Sequence, residues 1–334
     1  MKEKKPFVVA VAGPTASGKS ALAMALCRRY GGELISCDSM QVYRRMDIGT
    51  AKPTAAERAE IPHHLIDICE PTESFSAAAF AALAKKAISD TVQRGRLPVL
   101  CGGTGLYLDS VLSGVEFGEL EPDPALRAEL WRAEEEKGPL FLHQMLEAAD
   151  PEAAHAIHPN NVKRVIRALE ICRLSGMTKT EWDKRARREG PYRVLYIALD
   201  YRDRALLYEK IDRRVDAMMA AGLWDEVRAL LAEGALAPGT TAAGAIGYKE
   251  LLGCLGTGKS LAQASEEIKN ATHHYAKRQL TWLRRNPEIL WLYPDDYPTP
   301  ELLFQAAEKA VDQTNQSKSG NAIWNREQNP PTKK

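Results

Sequence analysis

The stretch FVVAVAGPTASGKSALAMALCRRY, Phe7 to Tyr30, carries the reading of the fold. Its first six residues are a continuous apolar, β-branched run, the pattern of a parallel strand buried on both faces. Its last twelve are rich in Ala, Leu and Met and read as a helix. Between them GPTASGKS, Gly13 to Ser20, fits G-x-x-x-x-G-K-[ST]. Such a loop works only between a strand and a helix. There its N–H groups face a phosphate, the helix N-terminus adds its dipole, the lysine adds charge and the last hydroxyl holds Mg²⁺. Gly13, Pro14, Thr15, Ala16, Ser17, Gly18, Lys19 and Ser20 are therefore the candidate phosphate cradle. Ser20 is the candidate metal-side hydroxyl, directly or through water. The bland alternative is a strand-to-helix turn built of small residues. The motif leaves the ligand open: ATP is the usual one, and any diphosphate suits the same cradle.

The pattern occurs twice. GCLGTGKS, Gly253 to Ser260, also fits, but it follows YKELLGCL, in which Leu251, Leu252 and Leu255 have helical spacing. Three glycines then stop the helix, and Ser260 is placed to cap the next one. The second match is expected to be a helix–turn–helix connection without a phosphate.

Further strands are expected at Glu33 to Asp38 (ELISCD), His64 to Cys69 (HLIDIC), Leu97 to Cys101 (LPVLC), Arg193 to Leu199 (RVLYIAL) and Ile289 to Tyr293 (ILWLY). Helices are expected over Ser76 to Arg94, with Ser76 as N-cap, and over Asp203 to Gly222, Leu223 to Glu233, Gly244 to Leu255 and Ser260 to Arg285. This alternation is the signature of an α/β protein, a parallel sheet flanked by helices. Glu116 to Gly190 has no convincing strand, and Pro122, Pro124, Pro139, Pro151 and Pro159 lie near its breaks. It reads as an all-helical insertion over 116–190, which makes the core discontinuous, 1–115 with 191–316. Residues 317–334 are polar and Pro-containing and are expected to form a disordered tail.

The 334 residues are 45% hydrophobic and 27% charged, enough of both for a core and a solvated surface. The net charge of +1 gives no global argument for nucleic-acid binding, so any such site must come from local clustering. The six cysteines are scattered singly with no C-x-x-C pair, which argues against a zinc or redox motif and for buried thiols in a reducing compartment. The apolar run at the N-terminus is too short for a membrane span and lacks a cleavage site, so a cytoplasmic protein is expected, without membrane contact.

Asp38 ends the second strand, within DSMQVYRRMDIGTAKP, Asp38 to Pro53. Carboxyl ends of parallel strands border the crevice where α/β proteins place their chemistry. An acid there can be a general base, a Mg²⁺ holder, or simply a turn or cap residue. A local basic run lies between Asn160 and Gly190: nine Lys/Arg (Lys163, Arg164, Arg167, Arg173, Lys179, Lys184, Arg185, Arg187, Arg188) face four acids, a net of +5. Lys163 and Arg167 are one helical turn apart, with Val162, Val165, Ile166 and Leu169 on the apolar side. This is either a cationic stripe for a phosphate backbone or an ordinary solvated face. A second cluster is Lys277, Arg278, Arg284 and Arg285. Trp282 beside it reads as packing, and His273 and His274 as surface or satisfied histidines rather than metal ligands.

Taken in order, GPTASGKS, DSMQVYRRMDIGTAKP, PHHLIDI (Pro62 to Ile68), GGTGLYLDSVL (Gly102 to Leu112), HPNNVKRVIRALEI (His158 to Ile171), AIGYKEL (Ala245 to Leu251) and AKRQLTWLR (Ala276 to Arg284) resemble the tRNA dimethylallyltransferases, also called tRNA isopentenyltransferases. The blocks reach to about residue 293, and their order and spacing are specific where no single block is. The resemblance implies a P-loop NTPase-like core, kinase-like in its phosphate loop, carrying a helical tRNA-binding insertion. It implies transfer of a dimethylallyl group from dimethylallyl diphosphate to the exocyclic N6 of the adenosine 3′ to the anticodon, with Mg²⁺. Asp38 is then the catalytic base, Lys19, Thr15 and Thr104 belong to the reacting centre with Ser39, and residues 13–20 hold the diphosphate. The tRNA anticodon stem–loop would touch Asp38, Ser39, Met40, Gln41, Thr104, Arg127, Lys163, Arg164, Val165, Ile166, Arg167, Lys277 and Arg278. Thr104 is alternatively a turn residue, and Gln41 an exposed strand-end side chain. Eukaryotic members carry a C-terminal zinc finger; the tail here has no Cys or His, so the shorter bacterial type is expected, as a monomer. Rival readings are an ATP-dependent small-molecule kinase, a prenyltransferase acting on free AMP, and a non-catalytic RNA-binding module.

Overall fold

The computed structural model describes residues 5–114, 123–186, 189–255 and 257–316. The expected tail at 317–334 lies outside the described residues, as do Arg187 and Arg188 of the basic run. Six strands form one sheet: β1 Phe7–Ala12, β2 Glu33–Ser36, β3 His63–His64, β4 Pro98–Gly102, β5 Arg193–Leu199 and β6 Leu290–Leu292. The order is β3-β2-β4-β1-β5-β6, and every ladder is parallel. Val8, Ala10 and Ala12 enter one core and Val9 and Val11 the other, so β1 is apolar throughout because both of its faces are covered.

The helices are α1 Lys19–Tyr30, α2 Ala55–Glu60, α3 Ala77–Gln93, α4 Gly105–Leu112, α5 Pro124–Lys137, α6 Pro139–Ala149, α7 Pro151–Ala156, α8 Val162–Ser175, α9 Lys179–Ala186, α10 Arg204–Ala220, α11 Leu223–Ala232, α12 Tyr248–Leu252, α13 Leu261–Leu283 and α14 Pro300–Gln316. The chain divides into two compact units, Met1–Leu112 with Pro191–Lys334, and Ser113–Gly190. In the first, α3 and α4 line one face of the sheet, and α1 and α14 the other. Ser76 caps α3 by accepting from Ala79 N. The second unit holds α5–α9, with Pro124, Pro139 and Pro151 at helix starts, where a missing N–H costs nothing. Its core is built on Leu130, Leu142, Leu146, Val165 and Leu169.

Helices α2, α4 and α14 were not expected, and two of the expected elements take a different form. The HLIDIC strand shrinks to His63–His64, because Leu65 (φ 64°) and Asp67 (φ 57°) take left-handed backbone. Asp67 then accepts Lys52 Nζ at 2.5 Å and Arg58 Nη1 at 2.6 Å, and the segment folds over the 42–52 loop. The helix expected over 244–255 is regular only in α12, since Gly247 (φ 94°) breaks its start. No described helix is long and apolar enough to cross a membrane.

Candidate active site

The loop after β1 is shaped for a ligand. Gly13 (φ 148°) and Gly18 (φ 92°) hold conformations that favour glycine, and Ala16 (φ 62°) shares that region at a cost. A Cβ on Gly13 would fall 2.7 Å from Ser17 Oγ and 2.9 Å from the Leu199 carbonyl. Gly18 starts α1 without any side-chain cap, so the first N–H groups of a twelve-residue helix are left for an anion. Lys19 arches back to donate to Pro14 O at 3.1 Å. It is half-buried as a residue, while its ammonium is packed round by protein. That burial, then Arg214, holds its pKa below the usual lysine range, with Cys101 and Asp38 opposing. Ser20 is exposed, and its hydroxyl reaches the Cys101 thiol, which burial pushes up to about 11 against the pull of Lys19.

The second loop is built the opposite way. Ser260 accepts from Gln263 N at 3.2 Å, and Gln263 Oε1 accepts from Ser260 N at 2.9 Å. α13 therefore satisfies its own N-terminus. Lys259 spends its charge on Glu267. No strand precedes this loop; α12 does. The helix–turn–helix reading holds.

Asp38 follows β2 and is half-buried. Its Oδ1 accepts from Met40 N at 2.8 Å and Gln41 N at 3.3 Å, which fixes the turn. The loop after β4 lies against it. Gly102 permits the approach, since a Cβ there would sit 2.2 Å from the Cys37 carbonyl. Thr104 N donates to Cys37 O, and Thr104 Oγ1 accepts from Ser39 N at 3.1 Å, so Thr104 braces the Asp38 turn from behind and does not itself line the cavity.

Thr15, Lys19, Ser20, Asp38, Ser39, Met40 and Gln41 share one cavity of about 430 Å³ with Arg278. Pockets of this size suit a small organic ligand. It lies at the carboxyl ends of β1, β2 and β4, the crevice of α/β proteins. The sequence reading missed Arg214 on α10. Its guanidinium is enclosed and forms no ion pair among the described residues, and burial lowers its pKa while Asp38 pulls it back. Tyr275, beside Thr104 and Gln279, is pushed up to about 12 by burial and then by Asp38.

Other expected residues are placed differently. Gln41 does not offer its amide to the cavity: Nε2 donates to the carbonyls of Thr50 and Ala51 at 3.2 Å, and Oε1 accepts from Ser36 at 2.9 Å. Val165 and Ile166 cannot present side chains to RNA, because they are 0% and 3% exposed in the core of the helical unit. Arg127 and Arg167 both turn to the fully buried Glu170. Burial alone would raise that carboxyl, and the two guanidiniums hold it down. Arg173, Lys179 and Lys184 pair with Glu129, Asp183 and Glu152, so much of the basic run is spent within its own unit. Lys163 and Arg164 are exposed and form no ion pair with another described residue. Lys277 and Arg278 are exposed on α13, Arg284 pairs with Asp200, and Trp282 packs on Gly105 and donates to Asp109 at 2.7 Å. His273 stacks on Tyr208 and faces Asp212. No described group of three or more His, Cys, Asp or Glu is placed to hold a metal.

Known proteins share this chain's pattern. The family model described as IPP transferase matches residues 41–286. A tRNA dimethylallyltransferase of Caldanaerobacter subterraneus is 45% identical over 298 residues, 89% of this chain and 94% of the relative. The full-length tRNA isopentenylpyrophosphate transferase of Bacillus halodurans is 42% identical and superposes with a TM-score of 0.69, over 92% of this chain and 96% of that one. A eukaryotic dimethylallyltransferase, solved acting on tRNA, is 28% identical with a TM-score of 0.77, over 93% of this chain and 79% of its own.

Proposed function

The chain belongs to the IPP transferase family, that of the tRNA dimethylallyltransferases, and from that premise we propose the reaction and the residues that perform it. Dimethylallyl diphosphate is the donor, and the N6 amine of the adenosine 3′ to the anticodon is the acceptor. The observation that carries the proposal is the sharing of one cavity by Lys19, Arg214 and Asp38 at the strand ends.

The diphosphate rests on the loop N–H groups at the uncapped start of α1, between Lys19 and Arg214. These charges stabilise the leaving diphosphate as the allylic C–O bond breaks and its electron pair departs with the oxygen. The allylic carbon shares the positive charge that develops. The adenine N6 forms the new C–N bond and gives up a proton, which the Asp38 carboxylate takes. Asp38 is held for this by two backbone N–H groups and by the Thr104–Ser39 brace. Thr15 lines the same centre. Ser20 fits Mg²⁺ as a single exposed hydroxyl. With no described acid cluster nearby, the remaining ligands would be diphosphate oxygens and water, and the ion would offset charge on the leaving group.

The base must leave its loop to reach Asp38. Met40 and the turn at Ser39 border the space it enters, and Gln41 shapes that loop from inside. Lys163, Arg164, Lys277 and Arg278 supply contacts to the RNA backbone, with the helical unit 113–190 as the larger RNA-binding element. The site of action is the cytoplasm, and the chain acts as a monomer.

The test is transfer of a labelled dimethylallyl group from its diphosphate to an anticodon stem–loop in the presence of Mg²⁺. Label in the RNA supports the reaction class. No label, with both substrates shown to bind, removes it. Asp38→Asn should lower turnover by roughly 10²–10⁴-fold with RNA affinity retained. Loss of RNA affinity alone would remove Asp38 as the base.

A further inference from the structure

α13 presents a buried amide to two active-site loops at once. Gln279 is 6% exposed. Its Oε1 accepts from Thr15 N at 3.0 Å, and its Nε2 donates to Gly103 O at 2.9 Å. The first contact holds the phosphate loop and the second the loop after β4. Thr104 follows Gly103 directly and accepts from Ser39 N beside Asp38. Gly103 makes room for this: a Cβ there would fall 2.0 Å from Gln279 Nε2. The Thr15 N–H, spent on Gln279, is withdrawn from the phosphate cradle, so the contact sets geometry rather than binding charge. Tyr275 and Trp282, four residues before and three after, lie against Thr104 and Gly105 and extend the same bracket.

We propose that Gln279 is a positioning residue for the transfer, fixing the separation between the phosphate loop that carries the donor and the Gly103–Thr104 loop that braces the Asp38 turn. It lines the same cavity, but both ends of its amide are spent on the two loops. It rests on the transferase reading above. In that reaction the allylic carbon and N6 must meet between two groups held on different strands, and a misplacement of about 1 Å can cost about 10²-fold in rate.

Gln279→Met removes both hydrogen bonds at similar volume. Gln279→Glu keeps the shape and the acceptor for Thr15, but sets an oxygen against the Gly103 carbonyl. Each variant is expected to lower kcat by about tenfold or more, while donor KM and stem–loop Kd stay within about threefold of wild type. A purely structural role would instead lower the fraction of folded protein and leave kcat per folded molecule unchanged. Gly103→Ala displaces the same amide from the other side, so its loss and that of Gln279→Met should be strongly non-additive in the double variant. A kcat within about twofold of wild type in both Gln279 variants, or additive losses in the double-mutant cycle, would overturn the proposal. Wild type assayed in parallel separates the readings: if it transfers nothing, the reaction class has failed, whereas active wild type with active variants fails Gln279 alone.

Discussion

Replacing Arg214 with methionine should move stability and catalysis in opposite directions. The guanidinium is enclosed, has no ion-pair partner among the described residues, and has Lys19 as a like-charged neighbour. An unpaired enclosed charge is a burden on the free protein, and methionine keeps most of the packing of the stem. Relief of about 1 kcal/mol would raise Tm by about 1–2 °C in a chain of this size. In the proposed reaction the same guanidinium would face the donor's diphosphate, and a hydrogen bond to a charged group contributes about 1.5–3 kcal/mol. Its loss should cost roughly 10- to 150-fold in kcat/KM for the donor. The measurements are Tm by calorimetry, with and without inorganic diphosphate, and kcat/KM with the donor varied at saturating stem–loop. Wild type should gain Tm from diphosphate and the variant much less. A variant that loses Tm and activity together would refute the reasoning, since that pattern belongs to a structural arginine.

Lys259→Ala should leave transfer within about twofold, since an exposed ion pair is worth at most about 1 kcal/mol. Lys19→Ala should lower donor kcat/KM by at least tenfold; a large loss at Lys259 would make the second loop functional. Glu33 gives a pH test. Arg94 holds its carboxyl down at about 2 from 4.5, against burial and with His64 and Thr91 assisting. Because the folded pKa is the lower one, its stabilisation is complete above pH 4.5 and is lost as pH falls toward 2. Allowing for the exposed guanidinium, the contribution is on the order of 2 kcal/mol. Glu33→Gln should flatten the fall of Tm over that window, and an unchanged slope would remove the assignment.

What was legible in the sequence was local. β1, the phosphate loop and α1 could be read because a strand buried on both faces needs an unbroken apolar run, and the loop needs its glycines at fixed spacing. Asp38 could be read because it ends such a run. Arg214 could not: in DRRVDAM it is one of two adjacent arginines on a helix, and only tertiary packing turns one of them into the cavity. Gln279 was quoted within AKRQLTWLR but carries no signal apart from its two partners, 264 and 176 residues away. α14 was missed although Ala307, Ala310, Val311 and Thr314 form a buried stripe at helical spacing. Val165 and Ile166, named with the tRNA contacts, lie on the inward side of the basic helix, where periodicity alone had already placed them, so their side chains belong to the core.

The register of the sheet also sets a schedule for the nascent chain. β1 pairs Phe7 with Arg193 on one side and Val9 with Val99 on the other. At a synthesis rate of about 5–20 residues per second, the segment that closes the second side emerges roughly 10–40 s after β1. Until β4 is made both edges of that strand are open, and from then until β5 one stays open while the helical unit is completed. An open strand edge of this kind is a ready template for pairing with another chain. The strand that is made first is finished among the last.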